Sequence, residues 1–236
     1  ETTLDLQVIA ASSPGLKSIQ VIEGDGSLAG LAQQFAAAVQ TPSRYRASVI
    51  SASVGACEPN WTDQAITQLE RTLRAANVAG ITVTAAAGDT GSTGCSLDDN
   101  AAALPGAAVW YPSSSSWVTG VGGTNFSLNS ANRITEEVVW NDSPTAFGGG
   151  GGGTSIGIKK PAWQSGPGVG TGEGREVPDI ALLSDSIPGY PIYCAASACL
   201  GGWRNVGGTS AATPLFASGI AIANQQAKAA GQAQLG

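Results

Sequence analysis

The amino-acid sequence predicts an α/β fold in which helices flank a largely parallel central sheet. Two apolar segments rich in strand-forming residues, 47–53 and 81–86, are separated by residues 66–76, where apolar residues recur at helical spacing. This alternation is typical of βαβ units, in which the connecting helix covers a face of a parallel sheet. With 236 residues the chain can form one full core, so a single domain is expected.

The residues before the first of these strands predict two helices and a short strand. Leu4 and Val8 recur at helical spacing, so residues 1–11 are expected to be helical. Residues 17–22 are a short strand candidate. Residues 28–39 predict a second helix, which the Thr-Pro pair that follows ends.

The C-terminal half predicts further elements of the same kinds. A turn at residues 88–91 follows the second apolar strand, residues 117–122 predict another strand, and residues 214–223 predict a helix of small apolar residues. Residues 148–153 are six consecutive glycines. A flexible surface loop is the leading interpretation of this glycine run, and a backbone that a substrate approaches closely is the alternative.

The composition limits the partners. The chain has 11 Lys and Arg against 17 Asp and Glu, and charged residues make up only 12% of it, well below the usual quarter or so. No basic cluster could neutralise phosphates, so nucleic acid is not expected as a partner. No apolar stretch approaches the roughly 18 residues needed to cross a bilayer. A charge-poor acidic chain suits acidic surroundings, because few ion pairs are lost when carboxylates are protonated.

The four cysteines predict disulfides and not a metal site. They lack the C-x-x-C spacing of zinc ligands, and the chain contains no histidine. Of the three connectivities that four cysteines allow, we predict Cys57 with Cys95 and Cys194 with Cys199. Such bridges imply an oxidising, extracytoplasmic location.

Ser210 is a candidate nucleophile at the start of a helix. It follows Gly-Gly-Thr, and the helix N-terminus would favour negative charge developing beside it. Helix capping by Thr209 or Ser210 is the structural alternative. Because histidine is absent, a Ser-His-Asp triad is excluded and any base must be another group.

Three carboxyl groups could supply that chemistry. Asp89 follows an apolar strand and, if protonated, could donate a hydrogen bond to an oxyanion; an ordinary Asx turn is the alternative. Glu1 and Asp5 are four residues apart on one helix face, where they could share a proton and accept the proton of Ser210. An exposed pair of like charges is the alternative for these two.

With these residues in view, the chain resembles the sedolisins, serine-carboxyl peptidases with a subtilisin-like fold. The resemblance spans nearly the whole chain, and its most specific parts contain the four candidate residues above. The matching stretches, in chain order, are residues 1–7 (E-x-x-L-D-x-Q), 51–55 followed by Glu58, 87–91, 111–113, 121–124, 161–164, 175–179, and 208–210 with Pro214.

The resemblance implies a role for each matching residue. Ser210 is expected to be the nucleophile, Glu1 the general base and later the acid, and Asp5 the carboxylate that orients Glu1. Asp89 is expected to be the oxyanion donor. A peptide substrate is expected to pair by β-augmentation with Ser51, Ala52, Ser53, Val54 and Gly55.

The resemblance also implies properties of the whole protein. Relatives have a longer catalytic domain, so residues 1–236 are expected to be a partial serine-carboxyl peptidase domain, truncated at both ends. They bind calcium through aspartates near the C-terminus, whereas this chain has no acidic residue after Asp185; no cofactor is therefore encoded here. A secreted, monomeric enzyme made with a propeptide and acting on proteins or peptides in acid is expected.

Two alternatives to an acid endopeptidase or exopeptidase stay open at this point. The chain could be a catalytically incompetent remnant or binding module that keeps the family motifs. It could also be an esterase that uses the same serine.

Overall fold

The described part of the chain forms four α-helices and eleven strands. The structure is a computed structural model, and it describes residues 1–42, 44–92, 95, 108–142, 148–196 and 201–236. The helices are α1 (Thr2–Ser12), α2 (Leu28–Gln40), α3 (Asp63–Val78) and α4 (Thr209–Ala229). The strands are β1 (Val49–Ala52), β2 (Ala56–Cys57), β3 (Thr82–Ala86), β4 (Trp110–Tyr111), β5 (Thr119–Leu128), β6 (Ile134–Val139), β7 (Gly153–Lys159), β8 (Gly174–Val177), β9 (Ile180–Leu183), β10 (Tyr190–Cys194) and β11 (Gly202–Val206).

The central sheet is largely parallel, as the sequence predicts. The pairs β1–β3, β3–β5 and β5–β9 are parallel, and β6 adds an antiparallel partner to β5. The remaining strands form three antiparallel pairs, β2–β4, β7–β8 and β10–β11. Because β1, β3 and β5 run in the same direction, the segments that follow them emerge at one edge of the sheet.

Helices cover the sheet in two layers. α2 and α3 pack together, and their buried Phe35, Leu69 and Leu73 form one core with Val83 and Ala85 of β3. α4 packs across β1, β3, β5 and β9 from the other face, and α1 packs against α4. The helix that carries Ser210 is therefore the main support of the sheet on that face.

Most of the predicted helices and strands are present, and the prediction of a strand at residues 17–22 is wrong. α1, α2, α3, β1 and β3 coincide with predicted segments. α4 begins at Thr209, five residues before the predicted start, because Pro214 lies inside its first turns and not at its beginning. Residues 17–22 form no strand. Ile19 and Val21 in this segment are 39% and 49% exposed, so it lacks the sheet partner that would bury its apolar side chains.

An open cleft of about 1190 Å³ separates this extended segment from β1. Residues 16–24 line one wall and residues 46–54 the other, and side chains of α1, α2 and α4 line the rest. β1 pairs with β3 on one side only, so within the described part of the chain its other edge has no strand partner.

One predicted disulfide is confirmed. Cys57 and Cys95 are bonded, and both are buried beside Ala108. Cys194 is also in a disulfide, whereas Cys199, its predicted partner, lies outside the described residues. No helix in the described part of the chain is long and apolar enough to cross a membrane.

Candidate active site

The carboxyl ends of β1 and β3 meet the N-terminus of α4. Ser53 comes directly after β1, Asp89 comes three residues after β3, and Ser210 is the second residue of α4. This convergence follows from the parallel sheet, because strand ends that point the same way bring distant residues to one edge.

Ser53 connects α1 to the start of α4. Its Oγ lies 2.8 Å from Asp5 Oδ1 and 3.0 Å from the carbonyl oxygen of Ser210. The carbonyl oxygen of Ser53 lies 3.4 Å from Ser210 Oγ. Ser53 is 8% exposed, so these contacts form inside the protein, where they fix α1 relative to α4.

Glu1 and Asp5 form a coupled carboxyl pair beside Ser210. Glu1 is exposed as a residue, yet burial of its carboxyl group and then the neighbouring charge of Asp5 raise its pKa to about 7. The positive α-amino group and a hydrogen bond with Ser210 oppose this rise, while the Asp89 charge adds to it. Burial also raises the pKa of Asp5, against hydrogen bonds to Ser53 and Glu1. A proton is therefore held in this pair far above the usual range of a carboxyl group.

Asp89 is fixed by the first residue of α4. Its Oδ1 accepts hydrogen bonds from the Thr209 backbone N–H and the Thr209 hydroxyl, each 2.7 Å long. Its Oδ2 lies 2.9 Å from the position that a Cβ atom on Gly208 would occupy. Gly208 has φ of +105°, a backbone conformation that glycine adopts readily, and it needs to be glycine for both reasons.

The six-glycine run is ordered backbone that pairs with the Asp89 turn. Gly149 N–H donates to the Asp89 carbonyl at 3.0 Å, and Gly151 N–H donates to the Gly88 carbonyl at 2.8 Å. The interpretation of this run as a flexible surface loop is therefore wrong. The alternative, a backbone that a substrate approaches closely, stays a prediction; in the structure the segment that approaches this backbone is the protein's own turn at Asp89.

The predicted substrate edge is partly available for pairing. Val54 is 43% exposed, and in the described part of the chain it makes no backbone hydrogen bond. Ala52 is buried, and Gly55 lies against the Tyr111 carbonyl, which would be 3.0 Å from a Cβ at this position. Ser51 has a buried hydroxyl without a hydrogen-bond partner among the described residues.

Residues 161–164 and 175–179 also belong to the resemblance. They are hydrogen-bonded to each other and lie away from the candidate site. The Gln164 side chain donates to the Glu176 carbonyl at 2.6 Å and accepts from the Glu176 N–H at 2.8 Å. Arg175 is fully buried, pairs with Asp179 and lies 4.8 Å from the centre of the Trp163 ring. Asp179 also accepts from Gly120 N–H in β5. These residues hold the sheet together and are not part of the candidate site.

Sequence reasoning missed two roles in this site. The sequence predicts Thr209 only as a helix cap, whereas in the structure it bonds Asp89, 120 residues away along the chain. The sequence predicts Ser53 only as part of a substrate edge, whereas in the structure it also bonds Asp5. No local pattern could reveal either contact, because both depend on how α4 and α1 pack against the strand ends.

The described residues contain no group of three or more Cys, Asp or Glu side chains placed to hold a metal ion. The calcium ion that the resemblance implies for the longer relatives stays a prediction.

Comparison with known proteins gives the class to which this fold and site belong. A family model described as the subtilase family matches residues 14–235, so the chain belongs to the subtilase family. Within it, the resemblance to the sedolisins is confirmed by two relatives. Kumamolisin from Bacillus sp. (strain MN-32) is 37% identical over 96% of this chain, and sedolisin from Pseudomonas sp. (strain 101) is 33% identical over 92%.

A solved structure supports the same assignment. Pseudomonas sedolisin, a serine-carboxyl proteinase, complexed with two molecules of pseudo-iodotyrostatin, matches 98% of this chain with a TM-score of 0.82 and 32% identity. A lanthipeptide protease with a TM-score of 0.55 and 18% identity shows the shared fold alone. The chain spans 39% of kumamolisin, 36% of sedolisin and 62% of the solved sedolisin chain.

Proposed function

We propose that this chain is the catalytic part of a serine-carboxyl endopeptidase that hydrolyses peptide bonds in acid. One observation carries the proposal: in a chain without histidine, Ser210 and Asp5 both lie beside the carboxyl group of Glu1, and Ser53 bonds Asp5 and the Ser210 carbonyl. A serine needs a neighbouring base to become a nucleophile. Glu1 is the carboxyl group close enough to Ser210 to serve as that base.

The proposed reaction begins with attack by Ser210 on the substrate carbonyl. The Ser210 proton passes to Glu1 while the proton that the pair already holds moves from Glu1 to Asp5, Oγ bonds to the carbonyl carbon, and the carbonyl oxygen becomes an oxyanion. Glu1 then gives the proton to the leaving amine as the C–N bond breaks, which leaves an acyl group on Ser210. Water repeats the sequence: its proton passes to Glu1 as its oxygen bonds to the acyl carbon, and Glu1 then gives the proton to Ser210 Oγ as the Oγ–carbon bond breaks, which releases the carboxylic acid.

Asp89 is proposed to stabilise the oxyanion. A protonated carboxyl group has a proton to donate, and Thr209 already occupies Oδ1 of Asp89 with two donors. The proton therefore belongs on Oδ2, the oxygen beside Gly208 at the start of α4. Removing one such donor typically lowers turnover by roughly 10²- to 10³-fold.

The substrate is proposed to be an extended peptide, with secretion into an acidic, oxidising environment as the setting. The available backbone of Val54 supports pairing with a peptide strand next to Ser210. The bonded Cys57 and Cys95 support an extracytoplasmic location.

Trapping in acid tests this function. Incubating the protein with a peptide aldehyde should give a covalent adduct on Ser210, detected by mass spectrometry of the peptide that contains it. The Ser210→Ala variant should form no adduct and cleave no denatured protein, while it unfolds at the same temperature as the parent. Cleavage by Ser210→Ala would contradict the mechanism. A folded parent that neither cleaves nor forms an adduct would instead support a non-catalytic remnant.

A further inference from the structure

The glycine run, residues 148–153, extends along the turn that carries Asp89, as a strand does along its neighbour. This turn, residues 88–91, is called the oxyanion turn because of the role proposed for Asp89. Three hydrogen bonds join the two segments: Gly149 N–H to the Asp89 carbonyl (3.0 Å), Gly91 N–H to the Gly149 carbonyl (3.0 Å) and Gly151 N–H to the Gly88 carbonyl (2.8 Å). Thr90 and Gly149 form a parallel β-bridge. The backbone of the turn is therefore held on both sides of Asp89.

The other side of the glycine run is held as well. Gly150 N–H donates to the Trp140 carbonyl at 2.9 Å, and a Cβ on Gly150 would lie 3.0 Å from the Gly123 carbonyl oxygen of β5. A Cβ on Gly152 would lie 2.8 Å from the Val177 carbonyl oxygen. The glycine run therefore lies between the oxyanion turn and the sheet, and its contacts with the sheet fix its position.

At position 151, only glycine can lie this close to the neighbouring backbone. A Cβ on Gly151 would lie 2.1 Å from the Ala87 carbonyl oxygen, a distance far inside van der Waals contact. Gly149 differs, because its Cβ would meet nothing closer than 3.5 Å. Neither residue has a left-handed φ, so the requirement at Gly151 comes from the neighbouring backbone.

We propose that Gly151 is a positioning residue for Asp89, and that the glycine run sets where its oxyanion-binding oxygen lies. This inference rests on the proposed function, since it gives Asp89 the role of oxyanion donor. Thr209 fixes the side chain of Asp89, whereas the glycine run fixes its backbone. Both contacts are needed to place the carboxyl group. Thr209 holds one carboxyl oxygen, but the rest of the side chain still moves whenever the backbone at the Cα of Asp89 moves.

The test compares Gly151→Ala with the matched control Gly149→Ala in the full-length protein. Gly151→Ala should push the Ala87–Gly88 backbone away and lower kcat by about 10- to 100-fold with little change in KM, since a displacement of about 1 Å can cost roughly 10²-fold. Gly149→Ala should retain the parent kcat. In an Asp89→Ala background, Gly151→Ala should cause no further loss of kcat.

Inhibitor affinity distinguishes a displaced Asp89 from a general loss of structure in the active site. Gly151→Ala should weaken binding of a peptide aldehyde, whose adduct places an oxygen in the oxyanion site, but not of the corresponding peptide alcohol. Equal weakening of both, or equal losses of kcat with and without Asp89, would overturn the proposal. If Gly151→Ala does not fold, Gly150→Ala takes its place, because its closest Cβ contact of 3.0 Å is milder.

Hydrogen exchange tests the inference even if the protein is not a peptidase. The Gly91 N–H should exchange faster in Gly151→Ala than in the parent and in Gly149→Ala, because its acceptor is the Gly149 carbonyl. Unchanged protection of Gly91 would overturn the proposal without bearing on the proposed function. Faster exchange of Gly91 in Gly151→Ala, together with a parent protein that forms no adduct on Ser210, would reject the peptidase and keep the structural pairing.

Discussion

Thr209 donates two hydrogen bonds to the same carboxyl oxygen of Asp89, one from its backbone N–H and one from its hydroxyl. The hydroxyl oxygen in turn accepts from the Gly88 N–H at 3.1 Å. This arrangement leaves the hydroxyl proton for Asp89 and leaves Oδ2 as the carboxyl oxygen that carries the proton of a neutral Asp89. One threonine thus defines which end of Asp89 can act as a donor.

Replacing Thr209 by valine should lower both stability and turnover. Thr209 is fully buried, so Thr209→Val leaves the Gly88 N–H without a partner and removes one donor from Asp89. The free energy of unfolding should fall by about 1–3 kcal/mol, measured by urea unfolding, and kcat should fall. Thr209→Ser keeps the hydroxyl and should retain most of kcat. Similar turnover in the valine and parent proteins would argue against this contact.

Changing the chemistry of Asp89 should change turnover. Asp89→Ala should lower kcat by roughly 10²- to 10³-fold without unfolding the protein. Asp89→Asn keeps an acceptor for Thr209 and presents an amide donor in place of the carboxyl group. Its kcat, measured in acid, should therefore stay above that of Asp89→Ala. An Asn variant that turns over as slowly as the alanine variant would argue against a donor role for this side chain.

Removing the charge of Asp5 should lower the pKa of Glu1. In the parent, burial first and the Asp5 charge second raise the pKa of Glu1 to about 7. Asp5→Asn removes the second cause, and infrared spectroscopy should show the protonated carboxyl band disappearing at lower pH. Glu1→Gln is the control that identifies the band. A band that titrates identically in Asp5→Asn would mean that the two groups are not coupled.

Stability should decrease as the pH rises from about 4.5 to about 7. Glu1, Asp5 and Glu70 have raised pKa values, chiefly because burial disfavours their charged forms. The native state therefore binds more protons than the unfolded state in this range, and the free energy of unfolding falls as those protons are lost. Thermal unfolding measured across the range checks the slope.

Glu70 provides the control for that slope. It accepts a hydrogen bond from the Tyr111 hydroxyl at 3.1 Å and bonds Ser115, while the nearby Glu58 adds to the rise in its pKa. Glu70→Gln keeps the shape and should flatten the dependence on pH. Asp25 and Glu176 have lowered pKa values, from hydrogen bonds with Ser27 and Lys160, and oppose the trend only at lower pH. Stability that rises between pH 4.5 and 7 would contradict the assignment of these protonation states.

The sequence predicts well what depends on local pattern. Leu4 and Val8 identify α1 because burial of one helix face imposes their spacing, and both are buried. Segments 47–53 and 81–86 identify parallel strands because both faces are covered by helices. The convergence of Asp89 and Ser210 follows from strand direction and from the resemblance, without any knowledge of distances.

What the sequence could not predict depends on contacts between distant segments. The glycine run looks flexible because glycine lacks a side chain, but its order comes from the Asp89 turn and from β5. Residues 17–22 have the composition of a strand, yet a strand also needs a neighbour at its edge. The link from Ser53 to Asp5 spans 48 residues, and only the packing of α1 on α4 makes it.

The open edge of β1 also sets a practical limit on the isolated chain. A strand edge with free N–H and C=O groups is a template onto which another strand can add, and the cleft beside β1 is lined by apolar side chains such as Ile50 and Phe35. Two copies that meet at this edge can pair their backbones and bury those side chains together. We therefore expect copies of the 236-residue chain to pair at this edge at high concentration, and a charged substitution there to reduce that pairing.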